Sequence, residues 1–227
     1  WVLMRLLAGI KVTRAELMAM GVGGLLMEIV TRPQPRAKPE VEGERKVAAI
    51  VLAAGRSTRM GGPNKLLAEL EGKKLVRIVA EQALASKACE VIVVTGHQAD
   101  LVEQALSGLR VRFVRNPDFA GGLASSVKAG IAVVSDGADG AVVCLGDMPM
   151  VSSDLLNGLI DMFEPDRGNL IVVPVADGRR GNPVLWSRRF FQELMTLDGD
   201  VGARHLIAKH AEAVAEVPVE GDGAFLD

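Results

Sequence analysis

Tyrosine is absent from this 227-residue chain, and aromatic residues of all kinds make up only 4% of it. A core organised around stacked rings is therefore excluded. With 49% hydrophobic residues, the interior has to be aliphatic, built from Ala, Val, Leu, Ile and Met. Cysteine is also scarce: Cys89 and Cys144 are the two in the chain. Two isolated cysteines make neither a disulfide framework nor a zinc site, so a reduced, cytoplasmic protein is expected. Cys144 lies inside an apolar run, where a thiol acts as a small hydrophobe. The three histidines, His97, His205 and His210, lack metal-ligand spacing and read as surface or packing residues. No uninterrupted apolar run reaches the roughly 20 residues of a membrane span. The apolar opening, residues 1–30, lacks the small-residue cleavage site of a signal peptide. A net charge of −2 argues against general nucleic-acid binding. That charge is unevenly spread: residues 1–46 carry 8 Lys/Arg against 5 Asp/Glu, and residues 47–227 carry 18 against 23.

Against this acidic background one cationic stretch stands out, Val47 to Lys65, VAAIVLAAGRSTRMGGPNK. Its first seven residues, Val47 to Ala53, are all apolar, the pattern of a strand covered on both faces. A loop of small and cationic residues follows, Ala54-Gly55-Arg56-Ser57-Thr58-Arg59-Met60-Gly61-Gly62, and then Pro63-Asn64-Lys65. Small residues let backbone N–H groups approach an anion, and Arg56, Arg59 and Lys65 add positive charge at the same point. A strand running into such a loop places it at the carboxyl edge of a sheet, where open α/β folds bind ligands. A polyphosphate site is expected, against the plainer reading of a strand and turn with surface cations. Neither a Walker A loop, G-x-x-x-x-G-K-[ST], nor a dinucleotide fingerprint, G-x-G-x-x-G, fits the stretch.

Downstream, strands and helices alternate. Helices are expected at Lys74–Ser86, Ala99–Leu106, Leu123–Val134 and, capped by Ser152-Ser153-Asp154, up to Phe163. Strands are expected at Glu90–Thr95, Val111–Arg115, Ala141–Leu145 and Leu170–Val175. The sum is a doubly wound α/β domain with a mostly parallel sheet. Beyond Asp177 the rhythm changes: Val184-Leu185-Trp186 reads as a hairpin or an edge strand, with Trp186 in the core. Helices Arg188–Met195 and Val201–His210 and a strand at Ala213–Val219 follow. Upstream, residues 31–46 have linker composition, with three prolines. Residues 1–30, with a capping box at Thr13–Glu16, are expected to be the tail of a preceding domain or an N-terminal arm.

Three further positions carry chemistry. Asp147 follows the strand Val142-Val143-Cys144-Leu145 and falls at the same carboxyl edge as the glycine loop; a hard cation bridging triphosphate oxygens needs such a carboxylate, while the plainer reading is a turn cap. Ser125 and Ser126 sit in the first turn of a helix opened by Gly121-Gly122, where hydroxyls and N–H groups suit a base edge or phosphate. Thr95 and Gly96 end the neighbouring strand and are expected to border the base.

The run Leu52-Ala53-Ala54-Gly55-Arg56-Ser57-Thr58-Arg59-Met60-Gly61 with Lys65 soon after closely resembles the signature of nucleotidyltransferases that use an NTP and release pyrophosphate. Leu52-Ala53-Ala54-Gly55 is similar to the version in molybdenum cofactor cytidylyltransferases; guanylyltransferase relatives usually carry glycine where Ala54 stands. Gly146-Asp147-Met148-Pro149 and the Asn116–Lys128 stretch resemble the family's metal and N-P-x-x-x-x-G-x-x-S-S motifs. Asn182-Pro183 and the 199–204 stretch resemble its acceptor-side motifs. The resemblance implies a Rossmann-like, nucleotide-diphospho-sugar transferase-like fold and transfer of CMP from CTP to molybdopterin or molybdenum cofactor, with Mg²⁺ on Asp147. Arg59 and Lys65 would hold phosphates, Leu52 to Ser57 would line the nucleotide, and Asn182, Pro183 and Arg204 would face the acceptor. Molybdoenzymes or their chaperones are the implied protein partners, with no nucleic acid and no membrane. Family members usually place a second metal acid in a C-terminal D-x-D-T-P stretch. Asp227 matches only its first aspartate, so weak metal binding by this chain, or none, is expected. Residues 1–30 more weakly resemble the end of a molybdopterin-binding domain fused upstream. Another nucleotidyltransferase, an NAD(P)-dependent oxidoreductase of the same superfamily and a non-catalytic binding module are the rival readings.

Overall fold

The computed structural model describes residues 45–56, 64–199 and 203–219, all within the compact unit Arg45–Asp227. The expected N-terminal arm, most of the linker, Ser57, Arg59 and Asp227 lie outside the described residues.

Strand β1 (Val47–Ala53) is buried along its whole length. It pairs in parallel on one side with a strand at Glu90–Thr95 and on the other with one at Gly140–Leu145. In chain order the strands are β1, β2 (Glu69–Leu70), β3 (Lys73–Lys74), β4 (Glu90–Thr95), β5 (Arg112–Arg115), β6 (Gly140–Leu145), β7 (Ile171–Ala176), β8 (Arg179–Arg180), β9 (Val184–Ser187) and β10 (Val214–Pro218). The helices are α1 (Leu75–Ala85), α2 (Ala99–Ala105), α3 (Leu123–Ile131), α4 (Ser153–Met162), α5 (Phe191–Leu194) and α6 (Arg204–Lys209). The main sheet runs β10-β7-β9-β6-β1-β4-β5, with β8 added to β7.

Helices cover both faces. Val47, Ala49, Val51 and Ala53 pack with apolar residues of α1, α2 and α4. Ala48, Ile50, Leu52 and Ala54 pack with those of α3, α5 and α6. A strand whose alternate side chains enter two different cores has no polar face, which is why β1 reads as a continuous apolar run. Trp186 and Cys144 are buried, and desolvation pushes the Cys144 thiol up to about 12. Among the described residues no helix is long and apolar enough to cross a membrane.

The alternation of strand and helix matches the expectation to within a few residues at each boundary. Two elements differ. The strand at Val184–Ser187 is not at an edge: β9 lies inside the sheet, antiparallel to both β6 and β7. Its hairpin character belongs instead to β7 and β8, joined at Asp177-Gly178, where both residues have positive φ. The second is a small hairpin, β2 with β3, turning at Glu71-Gly72. Its strands are short and exposed and carry no alternation that a sequence would show.

Gly130 in α3 marks how closely that helix approaches the sheet: a Cβ there would stand 2.5 Å from Ile50 Cγ2 and 3.2 Å from Val94 Cγ2. In open space Gly→Ala in a helix gains up to about 1 kcal/mol. Here overpacking, which typically costs about 1–3 kcal/mol, should outweigh that gain. Gly130→Ala is expected to lower the urea midpoint, and a raised midpoint would show that the helix can shift off β1 freely.

Candidate active site

The site is assembled where β1, β4 and β6 end together. Register places Ala53 beside Thr95 and Leu52 beside Leu145, so the chain leaves all three strands at one level. Three backbone bonds tie the exits: His97 N–H to Ala54 O at 3.1 Å, Asn116 N–H to Thr95 O at 2.7 Å and Gly146 N–H to Leu52 O at 2.9 Å. Gly146 has to be glycine for that approach, since a Cβ would stand 2.8 Å from Leu52 O.

Lys65 and Asp147 meet across this edge, Nζ to Oδ2 at 3.2 Å, with side chains 35% and 30% exposed. Lys65 is held by a 3-10 turn, Lys65–Leu67, whose cap is Asn64: its Oδ1 accepts from Leu66 N–H at 3.1 Å. Leu66 is buried in the core and anchors the turn. The Asn64 Nδ2 group is buried and makes no hydrogen bond among the described residues. An ammonium at this sheet edge suits an oxyanion.

Asp147 supplies hard carboxylate oxygens beside the Lys65 ammonium. Among the described residues no group of three or more His, Cys, Asp or Glu could hold a metal by itself. That donor set fits Mg²⁺, which usually takes one or two carboxylates and completes its shell with phosphate oxygens and water, and does not make a cage built wholly of protein ligands.

Other expected site residues are placed differently from one another. Thr95 is fully buried, and its hydroxyl donates to Glu103 Oε1 at 3.1 Å. Arg115 donates to the same carboxylate from Nε and Nη2, and to Asp100 from Nη2. The Thr95 side chain thus belongs to a network behind the edge. Gly96 is wedged between Ala54 and Phe119: a Cβ there would meet theirs at 2.8 and 2.7 Å. Ser126 is buried, and half-buried Ser125 donates to Gly122 O at 2.8 Å. Both hydroxyls accept from Asn116 Nδ2, at 2.9 Å for Ser125 and 3.2 Å for Ser126. Asn116, with Oδ1 accepting from Asp118 N–H, clamps strand exit to helix start. Arg56 lies over the Phe119 ring, its Cζ 5.0 Å from the centroid. The roles of Asn64, Asn116 and Phe119 were missed in the sequence. An Asn-Pro pair ahead of two serines was the available signal for Asn116.

On the other flank, antiparallel β9 begins at Val184 opposite Val143 of β6, so Asn182 and Pro183 enter at the carboxyl end of β6, the side of Asp147. Arg204 is exposed at the start of α6. The loop preceding it reaches the start of α3 through Ala124 N–H to Gly199 O, 3.2 Å.

Known proteins share this fold and part of this sequence. Residues 49–214 match the MobA-like NTP transferase domain. The chain belongs to that family. A nicotine blue oxidoreductase from Paenarthrobacter nicotinovorans is 31% identical over 163 residues, 70% of this chain and 79% of that protein. The bifunctional protein GlmU of Acidovorax ebreus is 32% identical over 172 residues, 72% of this chain but 33% of the relative. The chain thus spans between 24% and 33% of the length of the GlmU relatives it matches. Among solved structures, the Mycobacterium tuberculosis protein Rv0371c superposes with a TM-score of 0.70 at 29% identity, covering 79% of this chain and 90% of that one. The same protein has been solved in complex with manganese, matching with a TM-score of 0.67 at 28% identity over 78% of this chain and 89% of that one. A 4-diphosphocytidyl-2C-methyl-D-erythritol synthase from Anaerococcus prevotii shares the fold, with a TM-score of 0.64 at 17% identity over 81% of this chain and 91% of that one. The mixed, mostly parallel sheet is that of the nucleotide-diphospho-sugar transferases.

The network behind the edge has a pH signature. Hydrogen bonds from Arg115, and secondarily from Thr95, hold Glu103 below the usual carboxylate range despite some desolvation. A lowered folded value contributes stability above the unfolded pKa, and this is lost as pH falls through the folded one. Glu103→Gln should therefore be less stable than wild type at pH 7, with the gap closing toward pH 3. Urea midpoints across that range check this, and a constant gap would exclude the linkage.

Proposed function

We propose that this chain transfers CMP from CTP to the terminal phosphate of molybdopterin or its molybdenum form, releasing pyrophosphate. We assign the transferase domain to residues 47–227, behind a linker at 31–46. The observation that carries the reading is the Lys65–Asp147 pair at the joined exits of β1 and β6: a cation for phosphate and a carboxylate for a metal within 3.2 Å of each other.

An acceptor phosphate oxygen attacks the α-phosphorus. The new P–O bond forms as the bond to the α,β-bridging oxygen breaks, and its electron pair leaves with pyrophosphate. A phosphate monoester, with a second pKa of about 6, is already largely dianionic near neutral pH, so no general base is required. The protein's task is alignment and charge neutralisation. Lys65 and Arg59 grip the β- and γ-phosphates, and the small residues Ala54 and Gly55 let the backbone approach. Asp147 would hold Mg²⁺, which supplies further neutralisation of the triphosphate when bound. Ser125, fixed by Asn116, borders the nucleotide. Asn182, Pro183 and Arg204 face the acceptor. Ala54, standing where guanylyltransferase relatives usually carry glycine, supports cytosine over guanine, although its methyl is buried in the core and does not itself meet the base.

A second reading, NAD(P)-dependent oxidation or reduction, is favoured by the similarity to nicotine blue oxidoreductase. The missing dinucleotide fingerprint weighs against it. Two assays separate the readings: pyrophosphate release from CTP or GTP with molybdopterin and Mg²⁺, and titration with NADH and NADPH. CTP-dependent release is expected, with GTP poorer. Release from GTP faster than from CTP, or nicotinamide binding without release from either, would overturn the proposal.

Charged hydrogen bonds of the kind given to Lys65 are worth about 1.5–3 kcal/mol. Lys65→Ala is accordingly expected to weaken CTP binding by roughly 10- to 150-fold in calorimetry at an unchanged melting temperature. Asp147→Asn is expected to remove the magnesium-dependent part of turnover, because the amide lacks the charge a hard cation needs. Retention of most activity across a magnesium titration would exclude Asp147 as the ligand.

A further inference from the structure

Phe119 takes no part in the reaction just described, yet it is fixed as firmly as the residues that do. It begins a 3-10 turn, Phe119–Gly121, closed by Gly121 N–H to Asp118 O at 2.8 Å. Asp118 N–H is in turn bonded to the buried amide of Asn116 at 3.0 Å, and Asn116 N–H to Thr95 O at 2.7 Å. The ring therefore stands at a set place beside the exits of β1 and β4. Gly96 sets how close it comes: with no side chain there, Phe119 and Ala54 pack where a Cβ at Gly96 would lie 2.7 and 2.8 Å from theirs. The His97 ring closes one side, its centroid 6.0 Å away.

What the ring meets is Arg56, with Cζ 5.0 Å from the centroid, inside the range of a cation–π contact. Arg56 is exposed, and the chain steps into open space before it: a Cβ on Gly55 would meet no described heavy atom within 4 Å. Among the described residues, the face of Phe119 supports the guanidinium. An arginine left to sample its rotamers has to be ordered when an anion binds, whereas one already held on a ring does not.

We propose that Phe119 is a positioning residue. Its ring holds the Arg56 guanidinium at the carboxyl edge of β1, where it meets the phosphates of the bound nucleotide. This rests on the nucleotide reading above. The stack also accounts for Gly96, whose missing side chain lets the ring reach the arginine.

The test is a double-mutant cycle on CTP affinity, measured by calorimetry, with cytidine as the phosphate-free control. A cation–π contact at an exposed site corresponds to about a two- to five-fold change in affinity. Phe119→Leu is expected to weaken CTP by that factor and leave cytidine unchanged. Phe119→Trp, which keeps an aromatic face, restores the CTP affinity. In an Arg56→Met background, Phe119→Leu is expected to have no further effect, because the ring then has no cation to hold. Equal weakening of CTP and cytidine would mean that the ring contacts the base, and it would overturn the proposal. So would independent, additive effects of the two substitutions, or a Phe119→Leu variant that binds CTP as wild type does. Failure of the wild-type protein to bind any nucleoside triphosphate would instead remove the nucleotide reading, and this inference with it.

Discussion

β1 has no side open to water. Parallel strands flank both of its edges, and helices cover both faces. Everything in the candidate site is measured from its end. The loop exits after Ala53, β4 turns at the same level, and Gly146 is bonded back to Leu52. Burying a Val, Leu or Ile side chain contributes about 1.5–3 kcal/mol, and β1 does so repeatedly. The Lys65–Asp147 pair is a third exposed on each side, and pairs of that kind contribute about 0–1 kcal/mol. Stability therefore comes from the strand, while the ion pair sits on the edge that the strand fixes. The pair's position makes sense as chemistry far more than as a fold stabiliser.

The division of labour explains what could be read in advance. β1 and β6 were visible because a strand buried on two faces has to be apolar throughout, and the breaks after them had to be glycine-rich for the chain to turn and still bond back. The loop and Asp147 followed from those breaks. β9 was misread because a four-residue strand preceded by Pro183 has the marks of an edge, where a missing N–H is harmless. In the structure Pro183 stands one residue before the ladder begins, so the sheet loses no bond to it. The β2–β3 hairpin escaped because exposed two-residue strands show no periodicity. The contact of Arg56 with Phe119 escaped for another reason: the residues are far apart in the chain, and only the packing around Gly96 brings them together.

Hydroxyl groups near the edge show the limits of reading a motif residue by residue. Thr95 ends a strand at the right level, but its oxygen serves Glu103 and, through it, Arg115. Ser126 looks like an N-terminal helix donor, yet it is buried against the Asn116 amide. These groups set the distance between elements. Ser125, one residue earlier and half-buried, shares the same clamp while remaining near the surface.

The segment between β7 and β9 leaves the sheet at Ala176 and is drawn back at once, with Gly181 N–H bonded to Pro174 O at 2.9 Å. Both of its ends are pinned to the sheet, and its tip is a two-residue turn on the surface. Doubling the length of such an excursion costs only about 0.6 kcal/mol in closure entropy. Insertions there would leave the register of β6, β7 and β9 untouched. A lineage carrying this architecture could therefore vary the carboxyl edge beyond β7 again and again while the exits of β1, β4 and β6 stayed as they were, with diversification confined to a stretch that folding hardly constrains.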